Sequence, residues 1–327
     1  MRLTPDQHLS SEPDPLGRID ARLRASPSAA SNAIADAQGR TYSRPEEEDG
    51  LGLLGTFVTR LDRLRLRRPA ARLASLVYGA ARGGRQRFSI DPAGHWVNEQ
   101  PEATIVSPVV HTTLYTAYRD WVIDNWCWGY MPGPGDTVID AGAGVGEEAI
   151  VFSHLVGPRG RVISIEAHPA TFDCLIETIR RSGLTNVTPL CIALAAEDGT
   201  ARIDNGKSHL TSSIVKGDSG VEIPSRSLDS IARELGLGDV ALVKMNIEGA
   251  ETAAVRGMRG CAAQVRNVCI SCHDFLADRG DGEGLRTKAQ VEPLLREFGY
   301  SVATRPDAPE EWVRDYFYGS RKASPRS

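Results

Sequence analysis

The sequence predicts an α/β fold, a doubly wound sheet of seven strands preceded by a helical cap, and three observations carry that prediction. Short apolar runs rich in Val, Ile and Leu alternate with helical patterns from Thr137 onward, as βαβ units require. The first run, Asp136-Thr-Val-Ile-Asp140, passes through Ala141-Gly142-Ala-Gly144-Val-Gly146 straight into a helix starting near Glu147. The 327 residues also leave room for a large domain. At about 220 residues, such a domain buries roughly 70 % of its unfolded surface without metal or disulfide support.

Taken in order, residues 1–50 are rich in Pro, Ser, Ala and charge and read as a mobile tail with one short helix near Arg18–Arg24. Residues 51–105 read as a helical cap with a small hairpin. Leu53, Leu54, Phe57, Val58, Leu61 and Leu64, then Leu73, Leu76 and Val77, recur at helical spacing with an interruption at Pro69, which fits two amphipathic helices. Nine arginines face one acid, Asp62, between Arg60 and Arg87, and read as a solvated face of the cap rather than a membrane-surface helix. Gln86 to Val97 alternates around a Pro-Ala-Gly turn and predicts the hairpin.

Residues 106–323 hold the main domain. Val110–Trp126 is the expected first helix, ended by Met131-Pro-Gly-Pro-Gly135. Strands are expected over Thr137–Asp140, Arg161–Glu166, Thr188–Ala193, Val240–Met245 and Asn267–Cys272. Between them stand helices near Glu147–Leu155, Pro169–Ser182, Leu228–Leu235 and Ala250–Arg256. A helix over Thr287–Phe298 precedes two closing strands, Ser301–Thr304 and Trp312–Tyr318.

Composition excludes several function classes. With 41 % hydrophobic and 24 % charged residues and a net charge of −4, the chain is ordinary for a soluble globular protein and unlike a general nucleic-acid binder. No apolar run approaches a membrane span, and Met1-Arg-Leu-Thr-Pro-Asp6 lacks the apolar core of a secretory signal, so the expected location is the cytoplasm. Six scattered cysteines read as reduced thiols. Cys269-Ile-Ser-Cys272-His273 matches the spacing for covalent haem attachment, but on a strand, residues three apart point to opposite faces and the two thiols would not grip one ligand.

The glycine loop carries the chemistry. Glycines let backbone approach a ligand closely, and the free N–H groups of the following helix face a negatively charged group. A dinucleotide fingerprint would need glycine at position 147, where the chain has Glu147; the third glycine comes one residue early, at Gly146. Glu166, about 20 residues beyond the loop, ends the second strand, where a carboxylate accepts hydrogen bonds from both hydroxyls of a ribose.

Four segments carry a resemblance. They are Asp136 to Gly146; Val162-Ile-Ser-Ile-Glu-Ala-His-Pro169; Val221 to Ser230; and Leu242-Val-Lys-Met-Asn-Ile-Glu-Gly-Ala-Glu251. The chain resembles the FkbM-type S-adenosylmethionine-dependent methyltransferases over roughly residues 100–320, most specifically in the last segment, which is similar to the family's Lys-x-Asp-x-Glu-Gly-x-Glu. The resemblance implies a Rossmann-like methyltransferase sheet and S-adenosylmethionine as cofactor. It implies Asp140, Gly142, Gly144, Gly146 and Glu166 as cofactor-binding residues, with Ala193, in the strand end Cys191–Ala195, on the adenine wall. A hydroxyl acceptor on a small polyhydroxylated molecule, a sugar or specialised metabolite, is likewise what the resemblance implies. One position departs from the pattern. Asn246 stands where the family has aspartate, and an amide keeps a hydrogen-bonding carbonyl but is no base and a poorer metal ligand.

A hydroxyl is too weak an acid to attack unaided, so a base is expected at the carboxyl ends of the fourth and fifth strands. Lys244, Asn246 and Glu248 lie at the first of these ends, His273 and Asp274 at the second. His273 is the expected base, because its ordinary pKa is near neutrality and the resemblance also implies a histidine there. Glu248 would orient it or hold an acceptor hydroxyl; capping of the next helix by Glu248 and Asn246 is the plainer alternative. The spacing of Asn246, Glu248, His273 and Asp274 is unlike a compact metal motif, and no metal is expected. Asn205, Ser212 and Ser213 read as a solvated hairpin, with contact to the acceptor as the alternative. Two rival functions stand beside the leading one: a nicotinamide-dependent oxidoreductase and a non-catalytic methyltransferase-like binding protein. The expected partner is a small molecule, with neither nucleic acid nor integral membrane association; the sequence carries no signal for oligomeric state.

Overall fold

The N-terminal part holds the expected hairpin and three strands beyond it. The computed structural model describes residues 34–35, 41–42, 58, 60–61, 66–81, 83–203 and 220–321. Strands β1 (Ile34–Ala35) and β2 (Thr41–Tyr42) pair antiparallel. The rest of the expected tail, its helix near Arg18–Arg24 and most of the first cap helix lie outside the described residues; Val58, Arg60 and Leu61 of that helix are helical. Helix α1 (Arg67–Ala81) carries Pro69 in its first turn, where a missing N–H is harmless. It buries Ala70, Ala71, Ala74 and Tyr78 against Phe88 and Trp96. β3 (Arg87–Ile90) and β4 (Trp96–Gln100) form the expected hairpin, and β5 (Ala103–Ser107) completes an antiparallel sheet with them.

The helix expected from Val110 begins five residues later, as α2 (Tyr115–Asn125). Three buried or half-buried carboxamides explain the delay. Gln86 Nε2 donates to Thr112 O at 3.0 Å, Asn98 Nδ2 to His111 O at 2.9 Å and Gln100 Nε2 to Thr113 O at 3.0 Å. A helix needs those carbonyls for its own ladder, so the segment 108–114 remains an irregular strap over the N-terminal sheet.

The main domain follows in alternation: β6 (Thr137–Ala141), α3 (Glu147–Val156), β7 (Arg161–Ile165), α4 (Pro169–Arg181), β8 (Val187–Leu190), β9 (Ala193–Leu194), β10 (Gly199–Ile203), β11 (Val221–Arg226), α5 (Leu228–Glu234), β12 (Val240–Met245), α6 (Glu251–Arg256), β13 (Val265–Ser271), α7 (Asp274–Asp278), α8 (Lys288–Glu297), β14 (Ser301–Ala303) and β15 (Tyr316–Ser320). The seven-stranded sheet has the order β14-β15-β13-β12-β6-β7-β8. Its pairs are parallel from β13 to β8, and β15 runs antiparallel to both its neighbours. The chain winds outward from β6 to β8, then returns to β12 on the other side of β6. A crevice therefore opens at the carboxyl ends of β6 and β12, the switch point where sheets of this kind bind ligands.

Alternation along each strand sorts the core onto two faces. Ile139, Ile163, Val243 and Ile270 pack with α5, α6 and α8, while Val138, Val162, Leu242 and Cys269 pack with α2 and α3. Cys269 lies in β13 and Cys272 just past its end; they fall in different core clusters, and both are buried free thiols.

Two expected strands differ. The run Thr188–Ala193 is broken after Leu190, because the chain leaves the edge of the large sheet there and Ala193 starts a second sheet, of order β10-β11-β9. In the expected strand Trp312–Tyr318, Glu311–Asp315 form a 3-10 turn and only Tyr316 begins β15. Asp315 is committed elsewhere: its carboxylate accepts from Phe275 N at 2.7 Å and from Lys288 Nζ at 2.8 Å. Asn205, Ser212 and Ser213 lie outside the described residues, between the antiparallel strands β10 and β11. No helix among the described residues is long and apolar enough to cross a membrane.

Candidate active site

The glycine loop turns because all three glycines adopt left-handed backbone, with φ of 73° at Gly142, 54° at Gly144 and 99° at Gly146. The first is also a close approach: a Cβ at Gly142 would stand 1.9 Å from Asn246 O, whereas one at Gly144 would meet nothing within 4 Å. Gly142 N and Ala143 N both donate to Ile165 O, at 2.9 and 3.0 Å, which folds the loop across the end of β7.

Strand register places Lys244 beside Asp140. Its Nζ is fully buried and donates to Asp140 Oδ1 at 2.8 Å and to Gly142 O at 2.9 Å, with Glu148 Oε1 4.0 Å away and the Trp126 ring centre at 5.1 Å. Lys244 is thus taken up in tying the glycine loop to the sheet; full burial keeps it from the crevice where an acceptor would stand. Glu148, in the first turn of α3, accepts a hydrogen bond from Tyr118 Oη at 2.7 Å.

Glu166 meets the loop directly. Its Oε2 accepts from Gly144 N at 2.9 Å and its Oε1 from His168 N at 2.8 Å. Burial pushes this carboxyl up to about 7, against the pull of those two N–H groups. Beyond it, Cys191 and Ile192 are half-buried, whereas Ala193 is buried with Ile203 and Ile223 in a small apolar cluster beside Ala167. In this strand end Cys191 feels the charge of Glu166, Ile192 packs against the core of the large sheet, and the Ala193 methyl is taken up in that small cluster.

The turn after β12 is the strained part of the site. Glu248 is the single non-glycine with left-handed backbone among the described residues, at φ 47°, and Gly249 follows at φ 94°. Asn246 N donates to Ala141 O at 3.0 Å, stitching this turn to the end of β6. Neither Asn246 nor Glu248 caps the next helix, whose N-cap is Ala250 with no side-chain hydrogen bond. Burial pushes the Glu248 carboxyl up to about 8, although the nearby His273 opposes the shift.

His273, buried at the end of β13, is held by Glu251 and not by Glu248: Nδ1 lies 3.0 Å from Glu251 Oε1. Glu251 is itself fully buried and fixed, accepting from Thr287 Oγ1 at 3.1 Å and from Gly249 N at 3.0 Å. Burial alone would lower the pKa of the ring, but the hydrogen bond and charge of Glu251 outweigh it and hold His273 above its ordinary value. Asp274 turns the other way, accepting from Thr287 N and Lys288 N at the start of α8. Among the described residues, no three His, Cys, Asp or Glu side chains are grouped so as to hold a metal ion.

Of the residues expected from sequence, the structure brings together Gly142, Gly144 and Glu166 on one side of the switch point and Asn246, Glu248 and His273 on the other. Sequence reasoning missed two. Glu251 stood in plain view in the Glu-Gly-Ala-Glu segment, without a role. His111 carried no motif; its Nδ1 lies 2.9 Å from Oε1 of Glu147, the residue that follows the last glycine of the loop.

Among curated proteins, the chain is similar to a protein-L-isoaspartate O-methyltransferase from Methanococcus aeolicus, 28 % identical over 99 residues, 30 % of this chain and 43 % of that one. It is also similar to the AMB antimetabolite synthetase AmbE of Pseudomonas aeruginosa, 33 % identical over 92 residues, 28 % of this chain but 4 % of that one. The chain thus spans less than half the length of the curated relatives it matches. Among solved structures, it is similar to a methyltransferase FkbM from Methylobacillus flagellatus, with a TM-score of 0.40 and 20 % identity over 57 % of this chain and 43 % of that one. Residues 140–302 match the Methyltransferase FkbM domain, a segment that holds the glycine loop, Glu166, Lys244 to Glu251 and His273. Through that segment the chain belongs to the FkbM methyltransferase family.

Proposed function

We propose that this chain is an S-adenosylmethionine-dependent O-methyltransferase acting on a hydroxyl of a small polyhydroxylated molecule, a sugar or specialised metabolite. The observation that carries this reading is the buried Glu251–His273 pair at the carboxyl end of β13, on the far side of the switch point from the glycine loop. The loop fits an adenosine-bearing ligand. Gly144 has open space where a side chain would stand, and the Glu166 carboxylate beside it keeps lone pairs for ribose hydroxyls after accepting two backbone N–H groups. The O-methyltransferase named among the relatives supports oxygen as the acceptor atom.

When bound, S-adenosylmethionine supplies a methyl group on an electrophilic sulfonium. The chain's own residues have to orient the acceptor and remove its proton. Nδ1 of His273 is committed to Glu251, so Nε2 is the nitrogen that takes the proton, and Glu251 stabilises the imidazolium that results. Glu248, with its carboxyl at about 8, retains a proton at neutral pH and donates a hydrogen bond toward an acceptor oxygen. Asn246 offers an NH2 donor group and a carbonyl acceptor at the same turn without adding charge. In this reading residues 106–323 are the catalytic domain, 51–105 its cap and 1–50 a tail, in a cytoplasmic protein.

Calorimetric titration with S-adenosylmethionine, followed by transfer of labelled methyl to a panel of hydroxylated acceptors, tests the proposal. Saturable binding that weakens in Glu166→Ala, with label in an ether-linked methyl, supports it. Folded protein that binds no S-adenosylmethionine, or binds it equally well in Glu166→Ala, refutes it.

A further inference from the structure

The methyl-transfer reading gives no role to the arginines of the cap. Nine stand between Arg60 and Arg87 against a single acid, in a chain whose net charge is −4. Helix α1 contains no acid, and Arg68, Arg72, Leu76 and Ala80, spaced by four, share the side opposite the buried Ala70, Ala74 and Tyr78. All four are exposed, Leu76 to 70 %. In the main domain, exposed arginines are paired: Arg180 with Glu177, Arg259 with Glu297, Arg286 with Asp278 and Arg296 with Glu292. Arg68 and Arg72 have no such partner among the described residues. At its N-terminal end the same helix borders a groove of about 620 Å³ against the β3–β4 turn, whose walls include Leu66, Arg68, Pro69, Ile90 and Pro92. Asp91, in the same wall, is turned onto the hairpin and accepts from His95 N at 2.8 Å.

We infer that this face of α1 docks on an anionic lipid surface, with Arg68 and Arg72 at the head-group phosphates and Leu76 and the apolar groove wall at the boundary with the acyl chains. An arginine lays its aliphatic stem along apolar surface while its guanidinium stays among phosphates. Basic and apolar side chains in one stripe therefore match an interface that is charged outside and apolar beneath. A nucleic acid has the charge but gives Leu76 nothing to enter, and this face carries no ring on which a base would stack, Tyr78 being buried. Because the acids that bring the chain to −4 lie outside the cap, an anionic surface repels the rest of the protein and turns the cap toward itself. None of these residues belongs to the methyl-transfer site, so the two readings stand or fall separately.

Co-sedimentation of the full chain with vesicles of phosphatidylcholine alone, and of an equimolar mixture with phosphatidylserine, tests the site. Wild-type protein is expected to sediment with the mixed vesicles only, and less as salt is raised. Arg68→Gln and Arg72→Gln should each weaken partitioning about 5-fold, the weight of one basic side chain at an anionic surface, and Leu76→Asn about 10-fold. Arg72→Lys keeps the charge and should bind as wild type does. Thermal melts check that the variants fold. Failure to bind the mixed vesicles, equal binding to both kinds, or binding that none of the variants weakens overturns the assignment. So do arginine losses with Leu76→Asn unaffected, which would mark a surface that attracts any polyanion.

Discussion

The two glycines at 142 and 144 lie two residues apart in one loop, yet alanine at each position is expected to fail differently. At Gly142 the backbone has φ 73° and a Cβ would stand 1.9 Å from Asn246 O, 2.8 Å from Asn246 C and 3.3 Å from Ile247 Cγ2. The obstacle is backbone, and it is anchored, since Asn246 N is bonded to Ala141 O. Left-handed strain of about 1–2 kcal/mol and overpacking of roughly 1–3 kcal/mol sum to about 2–5 kcal/mol. For a domain of this size that lowers Tm by on the order of 10 °C. At Gly144, with φ 54° and nothing within 4 Å, only the strain of about 1–2 kcal/mol applies, and Tm falls by a few degrees. The Gly144 methyl, however, enters the open space beside Glu166 that the cofactor is proposed to fill. Gly142→Ala is therefore a folding variant and Gly144→Ala a binding variant. Thermal melts and calorimetric titration with S-adenosylmethionine separate them. Equal melting losses would refute the contact argument at Gly142; a folded Gly144→Ala that binds like wild type would refute the placement of the cofactor against the loop.

Two further outcomes follow from the buried ion pairs. If His273 is the base, kcat/KM rises with pH through an inflection above 6.5, because the raised pKa keeps the ring protonated below it. Glu251→Gln removes the charge that raises it, so the inflection moves down and kcat drops on the order of 10²-fold; a lower rate with an unmoved inflection would make Glu251 merely structural. Lys244→Met leaves Asp140 as an uncompensated buried charge and is expected to destabilise by about 3–5 kcal/mol. The double variant with Asp140→Asn should recover part of that loss in denaturant unfolding, and additive losses would deny the coupling.

How much of this was legible in the sequence depends on how far apart the interacting residues lie. The strands Thr137–Ala141 and Val240–Met245 and the glycine turn are written in local patterning, because period-two alternation and left-handed backbone each impose a residue type on a few adjacent positions. The strap was not legible. Val110, Thr112 and Thr113 are β-branched and only weakly disfavour a helix, and what prevents one is the capture of the segment's carbonyls by Gln86, Asn98 and Gln100 from the preceding sheet. The break after Leu190 is also non-local, since Ala193 pairs with Ser225, 32 residues onward.

The same distinction governs the site. Glu248 is the residue expected to orient His273, yet its left-handed backbone lets the chain turn so that Glu251, three residues later, reaches the ring. A carboxylate gains its role here from where a strained turn delivers it, which spacing along the chain does not disclose. That strain also has a purpose: Gly249 N is brought within 3.0 Å of the Glu251 carboxylate and Thr287 Oγ1 within 3.1 Å, so the group that orients the ring is itself immobile. If His273 is the base, it is pre-aligned before an acceptor arrives. On the proposed function, the open half of the site lies where the chain leaves carboxyl, amide and glycine, at Glu248, Asn246 and Gly144, and an acceptor there would be read by hydrogen bonds rather than by apolar fit.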